Sequence, residues 1–78
     1  MFKEEILEIL HNIGIYIEEI ELDYKIEDMI EDSLSFISFF IELENKYNVE
    51  FPEEFFEEMT YQKTLSDIKN YIENLQAA

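Results

Sequence analysis

The sequence predicts an all-α domain: a small four-helix bundle with one short helix and a long loop between helices 1 and 2. Three observations predict it. Apolar residues recur at three- and four-residue spacing over most of the chain, which is the helical period. Gly14 and Pro52 are the only glycine and proline, too few breakers for a turn-rich β fold. The 78 residues suit one domain, spanning 1–78.

The first helix is predicted from Phe2, Ile6, Ile9, Leu10, Ile13 and Ile17, with Lys3, Glu4, Glu5, Glu8 and Asn12 on its other face. Gly14 sits near its end. A connection follows from Glu18 to Asp32, long for a loop and seeded with Ile20, Leu22, Ile26, Met29 and Ile30. The second helix starts at Asp32 or Ser33, either a good N-cap. It ends by "YNVEFP", because the residue before Pro52 is pushed out of helical geometry. "PEEFFEEM" reads as the short helix, with proline and glutamates in its first turn. "TLSDIKNYIENL" reads as the last. Thr64 and Asp67 have capping-box spacing, and Leu65, Ile68, Tyr71, Ile72 and Leu75 form its apolar stripe.

Composition narrows the function. Twenty acidic residues against five basic ones give a net charge of −15. That disfavours binding to nucleic acid through its phosphates, and to anionic membranes. It suits association with basic protein surfaces, and it also keeps a small apolar protein in solution. No run of 18 apolar residues is present, so no membrane span is expected. The N-terminal stretch lacks a signal-peptide pattern and cysteine is absent, so the expected compartment is the cytoplasm. With no disulfide or cysteine-type zinc site, packing must hold a thin core together.

The second helix has apolar residues on two sides. On a wheel of about 100° per residue, Phe36, Phe39, Phe40, Leu43 and Tyr47 fall on the side expected to face the core. Leu34, Ile37 and Ile41 fall on the opposite side, with Ser38 and Asn45 among them. Scattered surface apolar residues are ordinary, but three in one line beside a helix start mark a place where another protein docks.

Ser33 begins that helix. A catalytic serine needs a base within reach and an oxyanion hole. The one histidine, His11, lies on the first helix at the polar boundary, and no G-x-S-x-G turn exists. Serine and aspartate at a helix start are also ordinary caps. If Ser33 reacts, its activation comes from another protein.

At this point "DMIEDSLSFISFFIELENKYNVEFP" resembles the central segment of acyl carrier proteins and of the related peptidyl and D-alanyl carriers. In that family an Asp-Leu-Gly-x-Asp-Ser-Leu motif precedes the second helix. Its serine carries 4′-phosphopantetheine, transferred from coenzyme A by a phosphopantetheinyl transferase. Asp28 and Met29 stand where the family has Asp-Leu, and Asp32, Ser33 and Leu34 match the core triplet. Ile20, Asp23 and Ile26 fit the preceding loop, "LENKYNVEFP" the end of the second helix, and "TLSDIKNYI" the last helix. The resemblance covers nearly the whole chain.

It implies a single carrier domain that is not an enzyme, with Ser33 as the attachment site, Asp32 and Leu34 flanking it, and no metal site. It implies docking through Leu34, Ile37, Ser38, Ile41 and Asn45. The implied partners are the transferase, an acyl- or aminoacyl-activating ligase, and synthase or condensation enzymes with basic docking surfaces. A monomer is expected. The chain departs from the family at Ile30, where glycine is usual, and at Glu31, where a small or apolar residue is. Ser35, Ser38 and Asn45 replace acids on the docking face, with Glu42 and Glu44 nearby. "FFEEMTYQKT" is longer than the usual link between the last two helices. The changes at Ile30 and Glu31 imply a loop that differs locally, and the docking face and the longer link suit a specialised biosynthetic pathway. An aminoacyl, peptidyl or D-alanyl carrier is the close alternative. An acidic interaction module with Ser33 as a mere cap is the distant one. A calcium-binding module is disfavoured, since no EF-hand spacing exists.

Overall fold

The computed structural model describes residues 2–57 and 59–77. Its helices are α1 (Phe2–Asn12), α2 (Ile26–Met29), α3 (Ser33–Tyr47), α4 (Glu53–Glu57) and α5 (Leu65–Ala77), with a 3₁₀ turn at Thr60–Gln62. The expected bundle is present, with the one-turn α2 and the 3₁₀ turn added in its connections. Glu58, assigned by the sequence to the short helix, lies outside the described residues.

Helix α1 buries Ile6, Ile9 and Leu10. It stops at Asn12, short of the predicted Ile17. Gly14 has φ +90°, a conformation that side-chain-bearing residues rarely adopt, and it turns the chain away. Ile13 and Ile17 still pack against the core, from the loop rather than from the helix. His11 Nε2 lies 3.1 Å from the Ile17 carbonyl oxygen and ties this turn back to α1.

Phe2 at the start of α1 meets Tyr47 at the end of α3, ring centroids 6.1 Å apart, so the two helices run antiparallel. Helix α3 ends at Asn48, which adopts the left-handed conformation (φ 53°) that asparagine tolerates and donates its N–H to the Glu44 carbonyl. The Glu44 side chain then accepts the Phe51 N–H at 2.9 Å and fixes the reversal into α4.

The long loop is pinned to the segment before α5. Ile26 N–H donates to Lys63 O, Leu65 N–H to Tyr24 O and Ser66 N–H to Leu22 O, at 2.8 to 3.0 Å. Below these bonds, Ile20, Ile26, Met29 and Ile30 are buried. Thr64 and Asp67 form the expected capping box, each accepting the other's backbone N–H. The core gathers Ile6, Leu10, Phe39, Leu43, Leu65 and Ile68, all inaccessible to solvent.

Ion pairs such as Lys3–Glu21 (3.4 Å) and Lys46–Glu8 (3.7 Å) are exposed and worth at most about 1 kcal/mol each. With a net charge of −15, self-repulsion opposes the compact state. Added salt screens charges over a Debye length of about 10 Å at 0.1 M. The melting temperature is therefore expected to rise with sodium chloride, and further with magnesium chloride at equal ionic strength. Scanning calorimetry across a salt series checks this; a temperature indifferent to both salts would contradict it.

Candidate functional site

The candidate site is the start of α3 and the outward side of that helix. Asp32 is the N-cap, in extended conformation (φ −107°, ψ 155°), and its Oδ2 accepts the Ser35 N–H at 3.0 Å. The first N–H groups of a helix have no partner within it. Asp32 takes that of Ser35, and the Leu34 N–H also supports its carboxylate. Ser33 itself is exposed. Its hydroxyl thus stands in solvent at the positive end of a 15-residue helix, a setting that favours a phosphate.

The Ser35 backbone N–H, and after it the Ser35 hydroxyl, hold the Asp32 carboxyl below the usual carboxylate range. Asp32 is therefore ionised at neutral pH. A carboxyl depressed on folding stabilises the fold fully above its unfolded-state value, about 3.9. The stabilisation is lost as pH falls through the lower folded-state value. Asp32→Ala should lower the melting temperature at pH 7, and the gap from wild type should close as pH drops below about 4. Glu31→Ala removes an equal charge one residue from the cap and should leave the melting temperature nearly unchanged. A gap for Asp32→Ala that stays constant with pH would contradict the assignment.

The loop before Ser33 accommodates its unusual residues. Ile30 adopts φ −126°, ψ 122°, an extended geometry open to any residue, and its N–H donates to the Ile26 carbonyl. The conformational freedom of a glycine is not needed there. The Ile30 side chain is instead buried, 1% exposed, and anchors the loop in the core. Glu31 points to solvent.

The two-sided reading of α3 holds. Leu34 is 77% exposed, Ile37 54% and Ile41 50%, whereas Phe39, Phe40 and Leu43 are buried. Phe36 and Tyr47, assigned to the core side, sit half-buried at its margins. The other two docking candidates are placed differently. Ser38 is half-buried. Asn45 is exposed but lines a separate polar cleft with Glu8, Asn12 and Lys46, on the α1 side of the stripe.

The stripe borders a shallow groove of about 340 Å³, lined by Phe36, Ile37, Phe40, Ile41, Glu44 and Phe56. Phe56 is a residue the sequence reading passed over. Its signal was present: two adjacent phenylalanines on a short helix cannot share one face, so if Phe55 is buried Phe56 must turn outward. Phe55 is 4% exposed and Phe56 39%. Among the described residues, no group of histidine, cysteine or acidic side chains is arranged to hold a metal ion. Among those residues, no helix is long and apolar enough to cross a membrane.

No family model matches the chain, and no solved structure matches it. Among curated proteins, the acyl carrier protein of Rickettsia bellii (strain OSU 85-389) is 40% identical over 65 residues, which are 82% of this chain and 76% of that protein.

Proposed function

Since the chain belongs to the acyl carrier protein family, we propose that Ser33 carries 4′-phosphopantetheine and that the protein presents acyl groups to partner enzymes as a cytoplasmic monomer. The observation that carries this reading is the exposed Ser33 hydroxyl at the N-terminus of α3, flanked by the Asp32 cap and the exposed Leu34–Ile37–Ile41 stripe. The residues fit the group. Ser33 offers an accessible oxygen for a phosphoester with the phosphopantetheine half of coenzyme A, and the nucleotide half leaves. The N-terminal end of a 15-residue helix suits the resulting phosphate. The arm supplies a thiol, absent from this cysteine-free chain, on which an acyl group is held as a thioester. Tethering makes each encounter with a docked enzyme effectively intramolecular.

Partner recognition divides between charge and the stripe. The acidic surface speeds encounter with a basic enzyme face, and a few apolar anchors hold the complex. Since serines and asparagine stand where acids would be expected, the docking face is more apolar than the rest of the molecule. That favours a specialised pathway over primary fatty-acid synthesis. Ile37→Ala or Ile41→Ala should lower turnover with a cognate partner about five- to thirty-fold, equivalent to about 1–2 kcal/mol at an interface anchor. Steady-state kinetics of the loaded variants checks this; unchanged kcat/KM in both would remove the stripe from recognition.

Incubation with coenzyme A and a broad-specificity transferase separates a carrier from a purely acidic interaction module. A carrier gains the mass of the arm in intact-protein mass spectrometry, and an interaction module does not.

A further inference from the structure

Rings from α3, α4, α5 and the turn at Phe51 meet in one cluster. Phe40 lies at its centre, packed against Phe36, Phe39, Phe51, Phe55 and Phe56 at centroid separations of 5.0 to 5.7 Å. Its planes with Phe39, Phe51 and Phe56 are almost perpendicular. Phe36 stacks on Tyr61 at 4.4 Å, and Phe51 on Tyr71 at 5.8 Å, which carries the cluster across to α5. Phe39 and Phe40 are 0% and 3% exposed.

The groove beside the stripe ends on these rings. Phe36 and Phe40 belong at once to its lining and to the cluster beneath. A chain that entered the bundle from the groove would have to displace Phe40. Interiors are packed at the density of organic crystals, and added methylenes force side chains out of their rotamers. Displacing Phe40 would also disrupt its edge-to-face contacts with Phe39, Phe51 and Phe56 together.

We propose that the ring cluster centred on Phe40 keeps cargo out of the bundle core, so that this carrier takes short or polar acyl groups and holds them in solvent. The proposal rests on the reading of Ser33 as the attachment site. Phe40 is then a specificity-determining residue. It does not touch the thioester; it fills the space that a long apolar chain would need.

Two measurements test it. The first needs no arm: unloaded protein is titrated with benzene while the methyl NMR signals of the core residues Leu43, Leu65 and Ile68 are followed. Wild type should show no shift. Phe40→Ala should show shifts, since an apolar cavity of this kind takes up benzene. The second uses protein loaded with acetyl- or octanoyl-phosphopantetheine, with loading verified by mass, and follows thioester cleavage by hydroxylamine. Burying a methylene is worth roughly a fourfold change in a partition equilibrium, so a chain entering the core slows cleavage steeply with length. Wild type should cleave both thioesters at the same rate, whereas Phe40→Ala should cleave the octanoyl form more slowly. Core shifts with benzene, or length-dependent protection in wild type, would overturn the proposal. If Phe40→Ala does not fold, Phe36→Ala takes its place, and failure of the folded variant to gain binding would overturn the role of the rings. Failure to load would sink the Ser33 reading and leave the benzene titration to decide the cluster.

Discussion

Phe39→Ala is expected to destabilise the domain by about 3–5 kcal/mol, the cost of emptying a fully buried phenylalanine site. Phe39 is inaccessible to solvent and meets Phe40 edge-on at 5.3 Å. Leu43, one turn on, is inaccessible too, so little can relax into the cavity. Small domains hold only about 5–15 kcal/mol in all. For a domain of this size each kcal/mol moves the melting temperature by about 4–8 °C. The variant should therefore melt at least about 12 °C lower, or show no cooperative transition. Ile37→Ala and Ile41→Ala, half-exposed on the other side of the helix, should stay within about 0.5 kcal/mol of wild type. Chemical denaturation of the three variants makes the comparison. Equal losses in all three would mean that α3 is rotated from the orientation described.

Much of this architecture was legible in the sequence, for local reasons. The caps of α3 and α5 depend on short-range chemistry: Asp32 reaches three residues ahead, and Thr64 and Asp67 exchange bonds over the same span. The two faces of α3 follow from periodicity alone. What could not be read depended on partners distant in the chain. The one-turn α2 is too short to show a period. It packs beside the 3₁₀ turn at Thr60–Gln62, and backbone bonds from Leu22, Tyr24 and Ile26 to residues 63–66 hold that region in place. The overrun of α1 has a different cause. Ile13 and Ile17 keep the helical spacing and do pack inward, but Gly14 turns the backbone first. The role of Ile30 also depends on distant partners. It stands where the family has glycine, and its ordinary extended backbone and buried side chain make it an anchor of the loop. For the site, Leu34, Ile37 and Ile41 stood out because they fit no core. Phe56 was lost inside an acidic short helix, and Asn45 was grouped with the stripe by angle alone, without the neighbouring α1 that draws it into another cleft.

Loss of Ser33 is expected to have the largest functional effect. Ser35 and Ser38 lie within α3, each at least partly covered, and the Ser35 amide and hydroxyl are engaged with Asp32. Ser66 sits in the first turn of α5, its N–H committed to the Leu22 carbonyl. Ser33 alone combines an exposed side chain with the Asp-Ser-Leu triplet and the open end of a long helix. Removing one exposed hydroxyl should leave stability within about 0.5 kcal/mol of wild type, so the variant separates folding from modification. The direct measurement is peptide mapping by mass spectrometry after treatment with coenzyme A and transferase, on wild type and on Ser33→Ala with its fold checked by circular dichroism. The account predicts one phosphopantetheine on the wild-type peptide containing Ser33 and none anywhere on the variant. An adduct on the folded Ser33→Ala protein, or a folded wild type that takes up none, would contradict it.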